Sequence, residues 1–303
     1  MQDLYNLFNN ILSNDFNYKN ENIKDITFLG GLTNKNYKVT TENYTFVLRI
    51  PGNGTSDLIN RKHEKKNCTF ANKLGLDSDI VYFNSESGVK VSKYINNSQE
   101  LSPSICKEPF IMEKVASLFK TLHNSSNKME NSFSFLDKLN EYEDLLISNK
   151  GEFPPNYSEI KTKVLKLNSA LYKFMLNCCP CHNDALSANF ILNDKGKLYL
   201  IDWEYAGMND PFWDLTSYIL ENELNTSQED TFLKLYFESS TISKQYKLKI
   251  HIYKILQDFL WSIWAKFKEA HGDDLGEYAL FRYNRALSNI DKLSEYEDML
   301  WEL

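Results

Sequence analysis

Near the middle of the chain stands Cys181-His182-Asn183-Asp184-Ala185-Leu186-Ser187-Ala188-Asn189, followed by an apolar strand, an Asp-Lys-Gly turn and a second strand that ends in Ile201-Asp202-Trp203-Glu204. An H-x-D loop with an Asn five residues after its Asp, and a further Asp one hairpin later, carries the parts that phosphoryl transfer needs. Asp184 is expected to take the proton of an acceptor hydroxyl. Asn189 and Asp202, at two adjacent strand ends, are expected to bring oxygen ligands to Mg²⁺. Two protein oxygens suffice, because Mg²⁺ keeps several of its waters. His182 belongs to the same catalytic loop, more as its hydrogen-bonding support than as a reacting group. A polar turn can show H-x-D by chance; the hairpin and the strand-terminal Asp make the combination specific.

The other contacts of a nucleotide are expected upstream. Gly30-Gly31-Leu32-Thr33-Asn34 lies between two predicted strands, where Gly31, Thr33 and Asn34 could lay backbone N–H groups over phosphates. A Gly-Gly pair between strands also makes an ordinary hairpin. Arg49 closes the third predicted strand, in position to reach phosphates, and Glu64 on the following helix could orient it as an ion pair. A third cluster concerns the acceptor. Trp261 and Trp264, three apart, share one helix face; Glu204-Tyr205 follows Asp202, and Glu277-Tyr278 lies on the next helical stretch. Rings and carboxylates are what a quaternary ammonium requires, since it cannot donate ordinary hydrogen bonds and is held by ring quadrupoles and nearby negative charge. Two Trp at helical spacing serve equally as core. Cys178, Cys179, Cys181 and His182 look like a metal cluster, but no second pair of ligands follows downstream to complete a tetrahedral Zn²⁺ site, and they are read as structural.

These residues need a scaffold. From Asp25 to about Asn96 the pattern is β-rich: D-I-T-F-L, N-Y-K-V-T and Y-T-F-V-L-R-I, the last two joined by a hairpin. A helix is predicted from about Asp57, capped at Ser56-Asp57, to Leu74, stopping at Gly75. Short strands follow at Ile80–Phe83 and Val89–Tyr94. The polar stretch I-N-N-S-Q-E-L-S-P-S reads as a hinge or boundary. Beyond it, 109–123, 133–147 and 157–177 show helical spacing, then comes a compact β insert (178–182, 189–192, 198–202), and 213–303 is helical again. The domain expectation is residues 1–96 as a nucleotide-binding lobe and 97–303 as a catalytic lobe.

Composition fits this layout. The 303 residues suit one large domain or two modest ones, and 42% hydrophobic with 25% charged content excludes disordered and fibrous classes. A net charge of −7 argues against nucleic acid as partner. No apolar run approaches the ~18 residues of a membrane span. The N-terminus lacks the basic start of a secretory signal and reads as an amphipathic helix with Leu4, Phe8 and Ile11 on one face. Five cysteines, three of them crowded into C-C-P-C, fit a reducing cytoplasm better than a disulfide framework.

With these motifs in hand, the sequence resembles the choline/ethanolamine kinase family, in its bacterial form, within the larger group that includes aminoglycoside phosphotransferases. The resemblance runs from about Phe28 to Tyr278 through G-G-L-T-N, V-L-R-I, C-H-N-D-x-x-x-x-N, I-D-W-E-Y-A, F-x-D-L and the F-L-W-S-I-W helix. It implies an α+β, protein-kinase-like bilobal fold, with a small β-rich N-lobe and a larger, mainly helical C-lobe. It implies ATP- and Mg²⁺-dependent transfer of the γ-phosphate to choline's hydroxyl. It casts Asp184 as base, Asn189 and Asp202 as metal ligands, and Arg49 as phosphate contact. Glu204, Tyr205, Trp261, Trp264 and Tyr278 are placed around the ammonium, and backbone groups at Lys93, Tyr94 and Ile95 beneath the nucleotide base. Arg49 stands where protein kinases carry a Lys, and D-W-E replaces D-F-G with no activation loop after it, so a protein substrate has no platform. Asp214, in P-F-W-D-L, is read as bracing the catalytic loop. The alternatives are a kinase of another small amine (ethanolamine, thiamine or an aminoglycoside) and a catalytically silent binding module on the same fold.

Overall fold

In the strand Thr45–Pro51 (β3), Phe46 and Leu48 are fully buried while Thr45 and Val47 are less so, the period-two pattern of a strand with one covered face. The computed structural model describes residues 2–14, 17–31, 33–52, 54–171, 174 and 178–296. Leu32, Asn53, most of 172–177 and the end of the expected C-terminal helix lie outside the described residues. β1 (Ile23–Gly30), β2 (Asn34–Thr41), β3, β4 (Ile80–Phe83) and β5 (Lys90–Lys93) form an antiparallel sheet in the order β1-β2-β3-β5-β4. The predicted hairpin joins β2 to β3, with Thr40 opposite Thr45. The N-terminal helix α1 (Gln2–Ser13) lays Phe8, Ile11 and Leu12 on Val39, Phe46, Leu48 and Val91, with Leu4 partly buried beside them.

The helix predicted from Asp57 is two pieces: a single turn, α2 (Thr55–Leu58), and α3 (Arg61–Lys73). Ile59 between them is extended, at φ −119°. The cap of α3 is therefore Asn60, whose side-chain oxygen accepts from Lys62 N and His63 N at 3.1 Å each, and not the Ser56-Asp57 pair. Gly75, with φ +72°, ends the segment as predicted, donating its N–H to Asn72 O at 2.8 Å.

Two short strands were not legible. The polar stretch after Tyr94 contains β6 (Ser98–Glu100), which pairs with β8 (Phe190–Asn193), itself paired with β9 (Leu198–Leu200). β7 (Cys179–Cys181) does not join that hairpin as expected. It pairs with β10 (Gly207–Asn209), in a region with no predicted strand. Gly207 permits this pairing: a Cβ there would stand 2.7 Å from Asn131 Nδ2 and 3.1 Å from the Ser132 backbone.

Two compact units result, Met1–Leu101 with Ala188–Tyr205, and Ser102–Ser187 with Ala206–Leu303. The chain passes between the two units three times, because the β8–β9 hairpin pairs with β6 and returns to the first unit. The second unit holds α4 (Pro103–Cys106), α5 (Pro109–His123), α6 (Phe135–Ser148), α7 (Tyr157–Leu171), β7, β10, α8 (Pro211–Glu221), α9 (Thr226–Phe237), α10 (Lys244–Ala270) and α11 (Tyr278–Asp291). Its centre is the 27-residue α10, packed against α6, α7, α8 and α11. From Ile250 to Ala265 every side chain of α10 except Lys254 is buried, so apolar residues recur around the helix, with Gln257, Asp258 and Ser262 buried among them. Among the described residues, no helix is long and apolar enough to cross a membrane. All five cysteines are free thiols.

One carboxylate in the first unit lacks a full counter-charge. Asp77, after α3, is 7% exposed and accepts from Ser78 N at 2.7 Å. Burial pushes its carboxyl up to about 6, with Lys90 opposing the rise. A carboxyl raised on folding contributes stability below the unfolded pKa of 3.8 that is lost as pH climbs through about 6. Asp77→Asn is therefore expected to be more stable than wild type at pH 7.5, by up to ~3 kcal/mol, with the gap closing below pH ~4. Thermal melts of both proteins across pH 3.5–8 test this; parallel curves would refute it.

Candidate active site

In the first unit, β3 delivers Arg49 and α3 delivers Glu64 to a common point, and the two side chains form an ion pair with 3% and 0% exposure. Arg49 also donates to Gly88 O at 3.0 Å and lies 3.6 Å from Asp202 Oδ1 and 3.8 Å from Glu204 Oε2. The expected pair is thus formed, but it is part of a larger group. Arg61, one helical turn before Glu64, bonds Glu64 at 2.7 Å and Glu204 at 3.0 Å. Lys90 on β5 comes within 4.0 Å of Glu64. Burial alone would raise the Glu64 carboxyl, but Arg49, Lys90 and Arg61 hold it below its ordinary value. Arg61 and Lys90 were missed from sequence; the i,i+3 spacing of Arg61 and Glu64 was the available signal.

Glu204 is placed differently from the expectation of a carboxylate beside an ammonium. Its Oε2 accepts from Arg61 and, at 3.2 Å, from Asn34 Nδ2. Burial and the neighbouring Asp202 push its carboxyl up to about 7, with Arg49 and Arg61 opposing. The Gly-rich loop is tied to this group through Asn34. A Cβ on Gly31 would meet Asn34 O at 1.9 Å, and one on Gly52 would meet Thr33 O at 1.9 Å, so backbone closes on backbone at both glycines.

The hairpin brings the two expected metal ligands together. Phe190 pairs with Leu200, and Ile201 N donates to Asn189 O at 2.9 Å, setting Asn189 and Asp202 at neighbouring strand ends. Asp202 holds a left-handed φ of +66°, unusual for a non-glycine, fixed by the fully buried Trp203, whose Nε1 donates to Leu200 O at 2.9 Å. Asp202 Oδ1 is buried with no hydrogen-bond partner, and oxygens of Glu64, Asp202 and Glu204 lie within 4.8 Å of one another. A hard divalent cation takes such oxygen donors. Arg49 Nε and Arg61 NH2 are likewise buried without partners, a donor set that suits phosphate oxygens. At 93–95, Lys93 N donates to Asp79 O and Tyr94 N to Thr45 O, leaving Ile95 as the N–H outside these pairs. These three residues line a cleft of ≈ 430 Å³ together with Asp77, Asp79 and Lys197.

In the second unit, the loop after β7 hangs on α8. Asp214 Oδ2 accepts from His182 N at 2.8 Å and Oδ1 from Asn183 N at 2.7 Å; His123 Nε2 lies 3.0 Å from Oδ2. One turn further along α8, Ser217 Oγ accepts from Ala185 N at 3.0 Å. Asn183, at φ +68°, is fastened by Trp213 Nε1 on its carbonyl (3.1 Å) and Asn209 Nδ2 on its side chain (2.8 Å). His182 is fully buried, and its Nδ1 lies 3.3 Å from Asp184 N, in keeping with a supporting part. Asp184 sits on this fastened backbone and is half-buried.

The acceptor-side rings partly converge. Trp261 and Trp264 on α10 meet edge to face at 6.0 Å, and Trp264 meets Tyr278, at the start of α11, at 6.4 Å and 79°. Tyr142 on α6, absent from the sequence reading, extends the row at 6.4 Å from Trp261. Arg282 backs Tyr278 at 5.4 Å. Burial raises the Tyr278 phenol; Arg282 opposes this, and Glu221 and Asp184 add to it. Tyr205 is buried in the first unit.

Known proteins share this arrangement. Residues 26–287 match the choline/ethanolamine kinase family. Protein LicA of Haemophilus influenzae is 32% identical over 290 residues, covering 92% of this chain and 83% of that protein. The crystal structure of choline kinase LicA from Streptococcus pneumoniae superposes with a TM-score of 0.83 at 35% identity, covering 96% and 99% of the two chains. A structure of LicA in complex with AMP matches with a TM-score of 0.82 at 35% identity, covering 96% and 98%. Fold and site together define an ATP-dependent phosphotransferase of protein-kinase-like fold that acts on a small molecule. The chain belongs to the choline/ethanolamine kinase family.

Asp214→Asn keeps one acceptor oxygen but turns an NH₂ toward the second loop amide. It is expected to lower kcat by ~100-fold through misplacement of Asp184 while leaving the KM for ATP within about threefold. Steady-state kinetics decide it: kcat within twofold of wild type would show that Asp214 only stabilises the fold.

Proposed function

We propose that this protein is a choline kinase: it transfers the γ-phosphate of ATP to the hydroxyl of choline, giving phosphocholine and ADP, with Mg²⁺, in the cytoplasm. The observation that carries the substrate is the row Trp261–Trp264–Tyr278 in the same unit as the Asp184 loop. Perpendicular rings offer π faces from more than one side to a cation without N–H groups, each contributing ~0.5–2 kcal/mol once water is excluded. Asp184 accepts the hydroxyl proton as that oxygen bonds to the γ-phosphorus and the bridging P–O bond to ADP breaks. Asp214, His182 and Ser217 keep its backbone in place.

The first unit is assigned the nucleotide. Arg49 and Arg61 answer the phosphate charge, Gly31, Thr33 and Asn34 form the loop over the phosphates, and the backbone at Lys93–Ile95 seats the base. Glu64 and Glu204 orient the two guanidinium groups. Asn189 and Asp202 hold the Mg²⁺, which when bound neutralises phosphate charge. Residues 1–96 thus serve the nucleotide and 97–303 catalysis and choline, with the two metal ligands on the segment that returns to the first unit. Free thiols at all five cysteines support a reducing compartment.

Three experiments test this reading. Asp184→Asn is expected to abolish choline-dependent ADP formation, by at least ~10³-fold, while ATP still binds. A wild-type preparation that phosphorylates ethanolamine, thiamine or an aminoglycoside but not choline would overturn the substrate and keep the chemistry. Trp261→Ala and Trp264→Ala are each expected to raise the KM for choline ~3–30-fold, with the KM for ATP unchanged. Equal losses for both substrates together with a lowered Tm would assign the two indoles to the core.

A further inference from the structure

β7 runs from Cys179 to Cys181, so these two side chains leave the same face of the strand. Their sulfurs are 3.7 Å apart. His123, the last residue of α5, comes to them from another part of the chain: one of its ring nitrogens and both sulfurs lie within 4.8 Å of one another. Two Zn–S bonds of ~2.3 Å at a tetrahedral angle span ~3.8 Å, so the sulfur separation already fits one edge of a Zn²⁺ coordination tetrahedron. His123 Nε2 is taken by Asp214, 3.0 Å away, while Nδ1 faces the Tyr236 hydroxyl at 2.8 Å. A carboxylate on one imidazole nitrogen is the usual support for a metal on the other. We propose that His123 Nδ1, Cys179 Sγ and Cys181 Sγ form a binding site for one thiophilic divalent cation of the Zn²⁺ class, with the Tyr236 oxygen or a water as fourth ligand.

The sequence reading set aside a metal centre here because C-C-P-C-H lacks further ligands. The third ligand is not the adjacent His182, whose Nδ1 faces Asp184 N, but a histidine brought by a helix that packs against β7. Burial and the neighbouring Cys179 push the Cys181 thiol far above its ordinary value. Binding replaces two S–H protons with two S–metal bonds and releases the protons to solvent; the resulting dithiolate neutralises the cation. The ion would fasten β7 to α5 directly beneath the backbone that carries Asp184, through the same Asp214 that holds the loop amides.

The test is titration of the chelator-treated, full-length protein with Cd²⁺ alone, read by the thiolate-to-cadmium charge-transfer band in the ultraviolet. A band saturating at one equivalent is expected. It should persist in Cys178→Ser, whose side chain is exposed, lose about half its intensity in Cys179→Ser or Cys181→Ser, and require ~10–100-fold more Cd²⁺ in His123→Gln. Saturating Zn²⁺ should raise the Tm by roughly 5 °C. A band unchanged in both Cys→Ser variants, lost only in Cys178→Ser, or absent overturns the proposal. Should Cys181→Ser fail to fold, X-ray absorption of the Zn²⁺-loaded wild type reads the shell directly: two sulfurs at ~2.3 Å with nitrogen support the site, and a shell of oxygen and nitrogen alone overturns it.

Discussion

A single carboxylate, Asp214, holds the backbone of the Asp184 loop in place. Two consecutive loop amides and one imidazole converge on its two oxygens. Buried N–H groups must find acceptors, and an ionised acceptor forms the stronger bond. Asp214 lies in the first turn of α8, where the helix dipole also favours a negative charge. With those bonds in place, the left-handed Asn183 is tolerated, and the chain turns abruptly enough to present Asp184. The geometry of the Asp184 loop is thus a property of α8 and α5 as much as of the loop itself.

The first unit solves a different problem, the burial of charge. Arg49, Arg61 and Lys90 crowd around Glu64, with Glu204 and Asp202 beside them. Removing such ions from water costs more than simple pairing returns, so stability alone does not account for the group. The Glu204 carboxyl, pushed up to about 7, records that cost. A preorganised cationic group with two unbonded guanidinium nitrogens and an unbonded Asp202 oxygen is suited to phosphates and a hard cation. Here the fold stores electrostatic energy for a ligand.

The aromatic residues, 14% of the chain, have two explanations. Most rings fill the core, as Trp203, Trp213 and Phe212 do. Trp261, Trp264 and Tyr278 form a row of their own from α10 and α11, continued into the core by the fully buried Tyr142.

Where structure depends on local spacing, the sequence alone was sufficient. H-x-D-x-x-x-x-N and the hairpin ending in Asp202 are short-range patterns, and so are the alternation of β3 and the stop at Gly75. Family membership followed from the same residues. Other features required the tertiary structure because their partners are distant in sequence. Arg61 reaches Glu204, Asn34 ties the Gly-rich loop to that carboxylate, Tyr142 joins the Trp pair, and His123 reaches both Asp214 and the β7 cysteines. The three-residue strands β6 and β10 carry too little alternation to be seen, and only their partners define them. Periodicity and spacing record what a residue does with its neighbours along the chain; burial and charge pairing across the chain arise only when the core closes.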